Sequence, residues 1–570
     1  MHPIQTSDDA EPRTTNDSPN GLTRRRFLRD LAAGSAAAVG GAAALSAGSA
    51  VAQAGGSSTT LRAAQDAEVT IQTSVAPGSF FGPMPDAEQQ KDPQMKAYGE
   101  TLQGWLDANP GVKLETVSVD VWDQQTLLTS ITGGTAPANY PGPVLGGWDL
   151  APTRSAFVQG LAANLTALME QFTIRERINP TAAGLWDQYA LDGVQYSVPG
   201  DIMFSGTGMF YRRDLFQAAG LEEPKPGWTW ADVRTLAKPL TKGNVKGVGL
   251  ELWAIGLPLN AEGFDLLTQL PDPETDWHWR WDYMAQADQW ASIVQGYRDM
   301  VFTDKTVLAD ITFDMPQIND AFIQGTVAMA PLNSGSMNVT GPGMPELAKS
   351  LNTSIDEVVG FVAMPIGSTG AFGGSQPSIT PSCFSPDLDE TALEKAVDLY
   401  TYFWYREGYQ VWRKAVYDLT QDLAPTYNAY APVNGITQIE GVPGSVEDVW
   451  PKNFLASARV MNDIPLLPTE GLYIPAEANP GPTGTAWDDT QSRWAFEPGQ
   501  LDLRADLQSL QGNRNAEAAG FASSVSAEEF VTAAKAYYDA HATFWQEHAP
   551  DFYSQTFKPW YDVNVTPVLG

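Results

Sequence analysis

The chain has 570 residues, with 34 Lys+Arg against 67 Asp+Glu, a formal net charge of −33 and one cysteine. Such acidity repels nucleic acid and anionic lipid and so excludes DNA and RNA partners, while a lone cysteine excludes an internal disulfide. The length suffices for two lobes with separate cores, and 18 Trp, 19 Tyr and 23 Phe suit cores, interfaces or sugar stacking alike.

Residues 1–20 are polar and rich in Pro, Asp and Asn, as a disordered leader would be. Arg24-Arg25-Arg26-Phe27-Leu28 then resembles a twin-arginine export motif. It precedes an Ala/Gly-dominated apolar run at 31–54, with Ala50-Val51-Ala52 or Ala52-Gln53-Ala54 as the cleavage site. A membrane anchor is the alternative reading, but so few large apolar side chains make insertion marginal and favour export with cleavage. The only cysteine is Cys383, far from this region, so lipid attachment after cleavage is not available. The expected product lies outside the cytoplasmic membrane, periplasmic or extracellular, either soluble or held by an uncleaved signal. Residues 55–67 read as a small, polar linker. Acids and arginines balance in the leader, so the negative charge falls on the exported part. It opposes anionic ligands at long range, and a surface tuned for solubility or salt would carry it equally.

Alternation at 68–74 predicts a strand, followed by a helix at 94–109, a strand at 112–119 and a helix at 121–132. Val144-Leu145 reads as a short strand ending in Gly146-Gly147-Trp148-Asp149. Ligands of open α/β sheets sit at the carboxyl ends of strands, where Trp148 could stack on a sugar and Asp149 accept its hydroxyl protons. Otherwise Trp148 packs in the core and Asp149 caps the next helix. A strand at 196–199 breaks at Pro199-Gly200, and 202–211 reads as a strand buried between layers. A short helix at 215–219 ends on Gly220, and Thr229 caps a helix at 230–240. The strand at 247–253 ends in Trp253, a second stacking candidate. Trp277, Trp279 and Trp281 alternate with His278 and Arg280, which suits a strand face or a binding rim. Helices are expected at 285–299, 391–412 and 527–549, whereas 471–499 is loop-like.

The block 195–242, with its YSVP strand, MFYRRDLFQAAGL and GWTWADVRTLAKPLT, resembles the inter-lobe crossing of the family 1 extracellular solute-binding proteins. These receptors deliver carbohydrates to ABC importers. NDAFIQGTVAMAPLNSGSMN at 319–338 resembles the family's helix, strand and Gly/Ser loop, and 361–379 resembles its second crossing. The likeness covers 66–435 well and the remainder loosely. It implies an α/β, two-lobed, periplasmic-binding-protein-like (type II) fold whose lobes are joined by crossing hinge strands. The implied division is leader and signal at 1–54, linker at 55–67, lobe 1 at 68–200 and 373–430, and lobe 2 at 201–372 and 431–570. It places Phe81 in the first ligand loop, and Asp201, Met203 and Phe204 in the first crossing. Asn333 and Ser336 would line the cleft, with Gly374 and Ser375 in the second crossing. With Trp148, Asp149 and Trp253 these form the expected ligand-binding set.

The resemblance implies capture of a carbohydrate, an oligosaccharide in the first instance, between lobes that close about a hinge. Membrane permease subunits of an ABC importer would be the partner, the protein would be a monomer, and no cofactor or catalysis is expected. His2, His278, His541 and His548 form no His-x-x-x-His pair, and no Gly-x-Ser-x-Gly elbow or P-loop is present. Cys383 reads as a small buried residue. The paired carboxylates of a glycoside hydrolase are set in space and not in sequence, so a secreted hydrolase stays an alternative. A binding protein for a polyol or a peptide is another.

Overall fold

The computed structural model describes residues 68–570 apart from 75–81, 147–152, 155, 158, 179, 192, 204–207, 251, 309–314, 332–343, 372–377, 428–435, 454, 457–484, 521 and 524–525. The leader, export motif and linker lie outside the described residues. Strands β1 (Val69–Ser74), β2 (Val112–Val117), β3 (Asn139–Pro141) and β4 (Ser197–Met203) come first. β5 (Gly208–Arg212), β6 (Lys246–Gly249), β7 (Gln269–Pro271), β8 (Trp279–Trp281) and β9 (Val307–Leu308) follow. β10 (Val327–Ala330), β11 (Val359–Ala363) and β12 (Ser378–Phe384) come last.

The fold is α/β with two lobes, each built on its own sheet. In the first, β1 and β2 pair in parallel, and β12 pairs antiparallel with β3 on one side and β4 on the other. The Ala138 amide donates to the Gln72 carbonyl at 2.7 Å, which sets the start of β3 beside β1. Ile71, Leu102, Val198, Phe384, Val397 and Tyr400 share the core beneath. The helix Pro93–Ala108 starts where Asp92 accepts from the amides of Gln94 and Met95, with proline in the first turn where no amide is needed. Its Tyr98 and Trp105 face inward. Tyr98 lies 5.1 Å from Phe403 and 5.9 Å from Trp412, ring to ring, and Trp105 donates to Asp398 at 2.9 Å.

The second sheet runs β11-β5-β10-β6-β9. Successive side chains of β5 enter different cores. Met209 and Tyr211 join one, while Phe210 joins the other with Phe322, Tyr427 and Trp450. Both faces are therefore covered, as an uninterrupted apolar strand requires. The first of these cores is completed by C-terminal helices, including Leu503–Ala518 and Ala527–His548. The helix Arg213–Ala219 ends on Gly220 at φ 67°, and Thr229 with Asp232 forms a reciprocal capping box for Trp230–Leu240.

Several expectations change; the single strand expected at 202–211 falls on the end of β4 and on β5, and 471–499, expected to be loop-like, carries the helix Thr485–Phe496. Val144-Leu145 is helical, within Gly142–Leu145, because Pro143 starts a turn there and Gln124 satisfies the Leu145 carbonyl at 3.0 Å. The strand at 196–199 does not stop at Pro199-Gly200. It continues as β4 to Met203, because Pro199 and Gly200, the latter at φ 70°, form a bulge in β4 opposite Pro381 of β12. The helix expected at 391–412 is two helices, Glu390–Tyr405 and Glu407–Thr420. Arg406 between them is extended and turns back onto the Asp398 carbonyl at 2.7 Å. Of the two readings open for Trp279 and Trp281, the strand face holds and the rim does not. They are 4% and 6% exposed, with the Arg514 guanidinium 4.5 Å above Trp281.

The C-terminal helix also holds a histidine that burial keeps neutral. His541 is buried, accepts from the Trp545 ring N–H at 3.2 Å, and is pushed down to about 3 by desolvation. A folded value below the unfolded one means stability present above about pH 6.5 and lost as pH falls toward 3. Between pH 7.5 and pH 5 the expected loss from this group is about 2 kcal/mol. Unfolding free energies from urea titrations of the natural chain and of His541→Gln should differ by that amount in their change between pH 7.5 and pH 5, and parallel pH profiles would contradict it.

Candidate functional site

In the second lobe β10 runs parallel to β6 and β6 to β9, whereas β5 is antiparallel to both β10 and β11. One edge of the sheet therefore gathers the carboxyl ends of β6, β9, β10 and β11 with the start of β5, where Gly208 faces Ala363. In the first lobe β3 and β4 are both antiparallel to β12. The chain leaves the carboxyl end of β4 into the first crossing and re-enters at the amino end of β12 from the second. Both crossings thus join the carboxyl edge of one sheet to that of the other. Loops at such edges form the crevice in which open α/β sheets hold ligands.

The expected residues distribute along these edges. Asp201 and Met203 lie on β4, opposite Thr380 and Ser378, at its crossing end. Trp253 is carried by the 3₁₀ turn Leu252–Ile255, past the end of β6, and not by the strand itself as expected. The side chains of these three lie outside the described residues. Phe81, Trp148, Asp149, Phe204, Asn333, Ser336, Gly374 and Ser375 lie outside them altogether. In the chain, Phe81 follows β1, Trp148 and Asp149 follow β3 and its helical turn, and Asn333 and Ser336 follow β10. Phe204 precedes β5, and Gly374 and Ser375 precede β12.

What holds these loops was not visible in the sequence. The Tyr98 hydroxyl donates to the Gly82 carbonyl at 3.0 Å and accepts from its amide at 2.8 Å, fixing the end of the loop after β1. Burial pushes the Tyr98 phenol well up, so it stays protonated as donor. The Tyr405 hydroxyl reaches the Gly200 carbonyl at 3.0 Å, holding β4 just before the first crossing. Glu262 does the same for the second. Buried at 7% exposure, it accepts from the Ser368 amide, from the Ser368 hydroxyl at 3.0 Å and from the Thr369 hydroxyl at 3.4 Å. Ala371, which precedes the second crossing, is fully buried in the same core as the Trp253-bearing turn's Ala254 and Ile255. No periodicity marks Glu262 in Ala261-Glu262-Gly263, because its partners lie about a hundred residues away.

Among the described residues no group of three His, Cys, Asp or Glu could hold a metal ion. Cys383 is buried on β12, and desolvation pushes its thiol well above the usual range, away from nucleophilic use.

The sequence model described as "Bacterial extracellular solute-binding protein" matches residues 88–403. A binding protein of Brucella abortus (strain 2308) is 23% identical over 289 residues, 48% of this chain and 61% of that protein. The chain thus spans about three-fifths of the length of the curated relatives it matches. Among solved structures it is similar to a sugar transporter from Rhizobium etli in an open conformation, with a TM-score of 0.46 and 16% identity over 79% of this chain and 99% of that one. It is also similar to an ABC transporter solute-binding protein from Agrobacterium vitis S4 with bound D-mannitol. There the TM-score is 0.49, with 17% identity over 79% of this chain and 97% of that one.

Proposed function

The chain belongs to the bacterial extracellular solute-binding protein family, and from that premise we propose that it captures a carbohydrate between its lobes for an ABC importer. The observation that carries this reading is the convergence of both sheets' carboxyl edges on the two crossings. Contacts supplied by both lobes exist only when they are closed, so a ligand that makes them shifts the population toward closure. Lobe 1 is assigned to 68–200 and 373–430, and lobe 2 to 201–372 and 431–570. Trp148 and Trp253 stack on sugar faces. Asp149, Asp201, Asn333 and Ser336 bond hydroxyls and reject ligands that lack them. Phe81, Met203 and Phe204 supply apolar walls, and Gly374 and Ser375 let the second crossing approach the ligand.

The protein is exported by the twin-arginine route. It works as a monomer outside the cytoplasmic membrane, and the closed form is presented to permease subunits without turnover of the sugar. Among the described residues no helix is long and apolar enough to cross a membrane.

Tryptophan fluorescence titrated with raffinose, maltotriose, glucose and D-mannitol tests this. A saturable change at micromolar concentration, with the sugar recovered intact, is the expected result. Consumption of the sugar would replace the receptor by a hydrolase, and silence across all four would overturn the carbohydrate assignment.

A further inference from the structure

Beyond the family-matched region, the C-terminal part of the chain builds something with a bearing on the binding edge. The helix Thr485–Phe496 packs directly against the turn Leu252–Ile255, which carries Trp253. Trp487 lies 5.3 Å from Phe264 and 6.0 Å from Trp494, ring to ring, and Phe264 in turn stacks on Tyr283 at 5.2 Å. Trp494 is fully buried in the same core as Ala254 and Ile255.

A single arginine from another element locks the end of this helix. Arg298 closes the helix Ala287–Arg298 and is 2% exposed. Its guanidinium donates to the carbonyls of Trp494 at 2.6 Å, Glu497 at 2.9 Å and Gly499 at 2.8 Å. Carbonyls at a helix C-terminus have no partner within the helix and carry partial negative charge, so a planar five-donor cation fits this place. Asp506 completes the lock, accepting from the Trp494 ring N–H at 3.0 Å and pairing with Arg493 at 2.6 Å.

We propose that Arg298 is a positioning residue for the ligand site: through the helix Thr485–Phe496 it holds the Trp253-bearing turn at the binding edge. The C-terminal extension is then part of the recognition apparatus, and ligand affinity depends on residues outside the family-matched region. The proposal rests on the reading of Trp253 as a ligand residue, and its test separates the two.

Hydrogen exchange on the ligand-free protein is measured for the natural chain, Arg298→Met and the milder Trp494→Phe, which keeps an aromatic side chain and the carbonyl clamp but loses the ring N–H bond to Asp506. Amides of 252–261 should exchange at least tenfold faster in Arg298→Met and about threefold faster in Trp494→Phe, with β1 and β12 unchanged. If Arg298→Met does not fold, Arg298→Lys, which keeps the charge and loses the planar fork, is read in its place. Faster exchange confined to 485–499, with 252–261 unmoved, overturns the proposal. The same variants are titrated with whichever of raffinose, maltotriose, glucose or D-mannitol the natural chain binds. A fivefold or greater loss of affinity in Arg298→Met supports the positioning role, and unchanged affinity overturns it. Should the natural chain bind none of the four, the carbohydrate reading fails, and the exchange result still decides whether the helix holds the turn.

Discussion

Alanine at Gly200 is expected to cost about 4 kcal/mol or more and to leave little folded protein. Gly200 sits at φ 70°, where a side chain is strained, and a Cβ there would lie 1.8 Å from the Thr380 carbonyl oxygen. That oxygen belongs to β12, the strand that faces the bulge, so relief requires β4 and β12 to separate just where the first crossing begins. The Tyr405 hydroxyl would lose its acceptor position in the same movement. A matching constriction stands at the other end of that crossing, where a Cβ on Gly208 would lie 2.4 Å from the Val362 carbonyl. Gly104 is the contrasting site, on the exposed side of a helix, where a Cβ would meet nothing within 4 Å. Gly104→Ala should be neutral or stabilising by up to about 1 kcal/mol. Soluble yield and urea unfolding of the two variants make the comparison, and near-native stability for Gly200→Ala would show that the crossing is not pinned there.

The second large effect is expected at Glu262. Removing its carboxylate in Glu262→Ala takes the shared acceptor from the Ser368 amide and hydroxyl and the Thr369 hydroxyl, and because Ser368 is itself exposed, water replaces part of what is lost. A total of about 2 kcal/mol is expected, with Glu262→Gln costing roughly half of that because one acceptor remains. The residues released, 368–371, lead directly into the second crossing, so ligand affinity should fall alongside stability. Urea unfolding with a parallel sugar titration reads both. A change below about 0.5 kcal/mol in Glu262→Ala would mean that the loop is held by its backbone contacts alone, such as that from the Gly367 amide to the Ala371 carbonyl at 2.9 Å.

Elements with local signals could be read from the sequence. Thr229 with Asp232, Gly220 after an apolar helix, and the alternation of Val69–Ser74 each depend on neighbours within four residues. Elements whose geometry is set from afar were misread. Pro199-Gly200 looks like a strand break until its pairing with β12 between Thr380 and Ser382 shows it to be a bulge through which the strand passes. Trp279 and Trp281 could not be assigned a face without Asn515, whose side chain accepts from the Trp281 amide at 2.8 Å and donates to its carbonyl at 2.9 Å. Arg406 breaks a helix that its local pattern supports, because Asp398 offers its guanidinium a carbonyl and a carboxylate at 2.7 and 2.6 Å. For the ligand site, sequence motifs supplied the order of the loops. The groups that hold those loops, Tyr98, Tyr405 and Glu262, carry no local mark because their partners are distant in the chain.

Closure about the two crossings is the central claim, and small-angle X-ray scattering tests it most directly. The exported protein should be measured alone and then with increasing amounts of the sugar that gives the saturable fluorescence change. A radius of gyration that contracts in step with that change, with the sugar intact, is the expected result. A saturated fluorescence signal with no contraction would contradict capture by closure and leave a rigid site on one lobe.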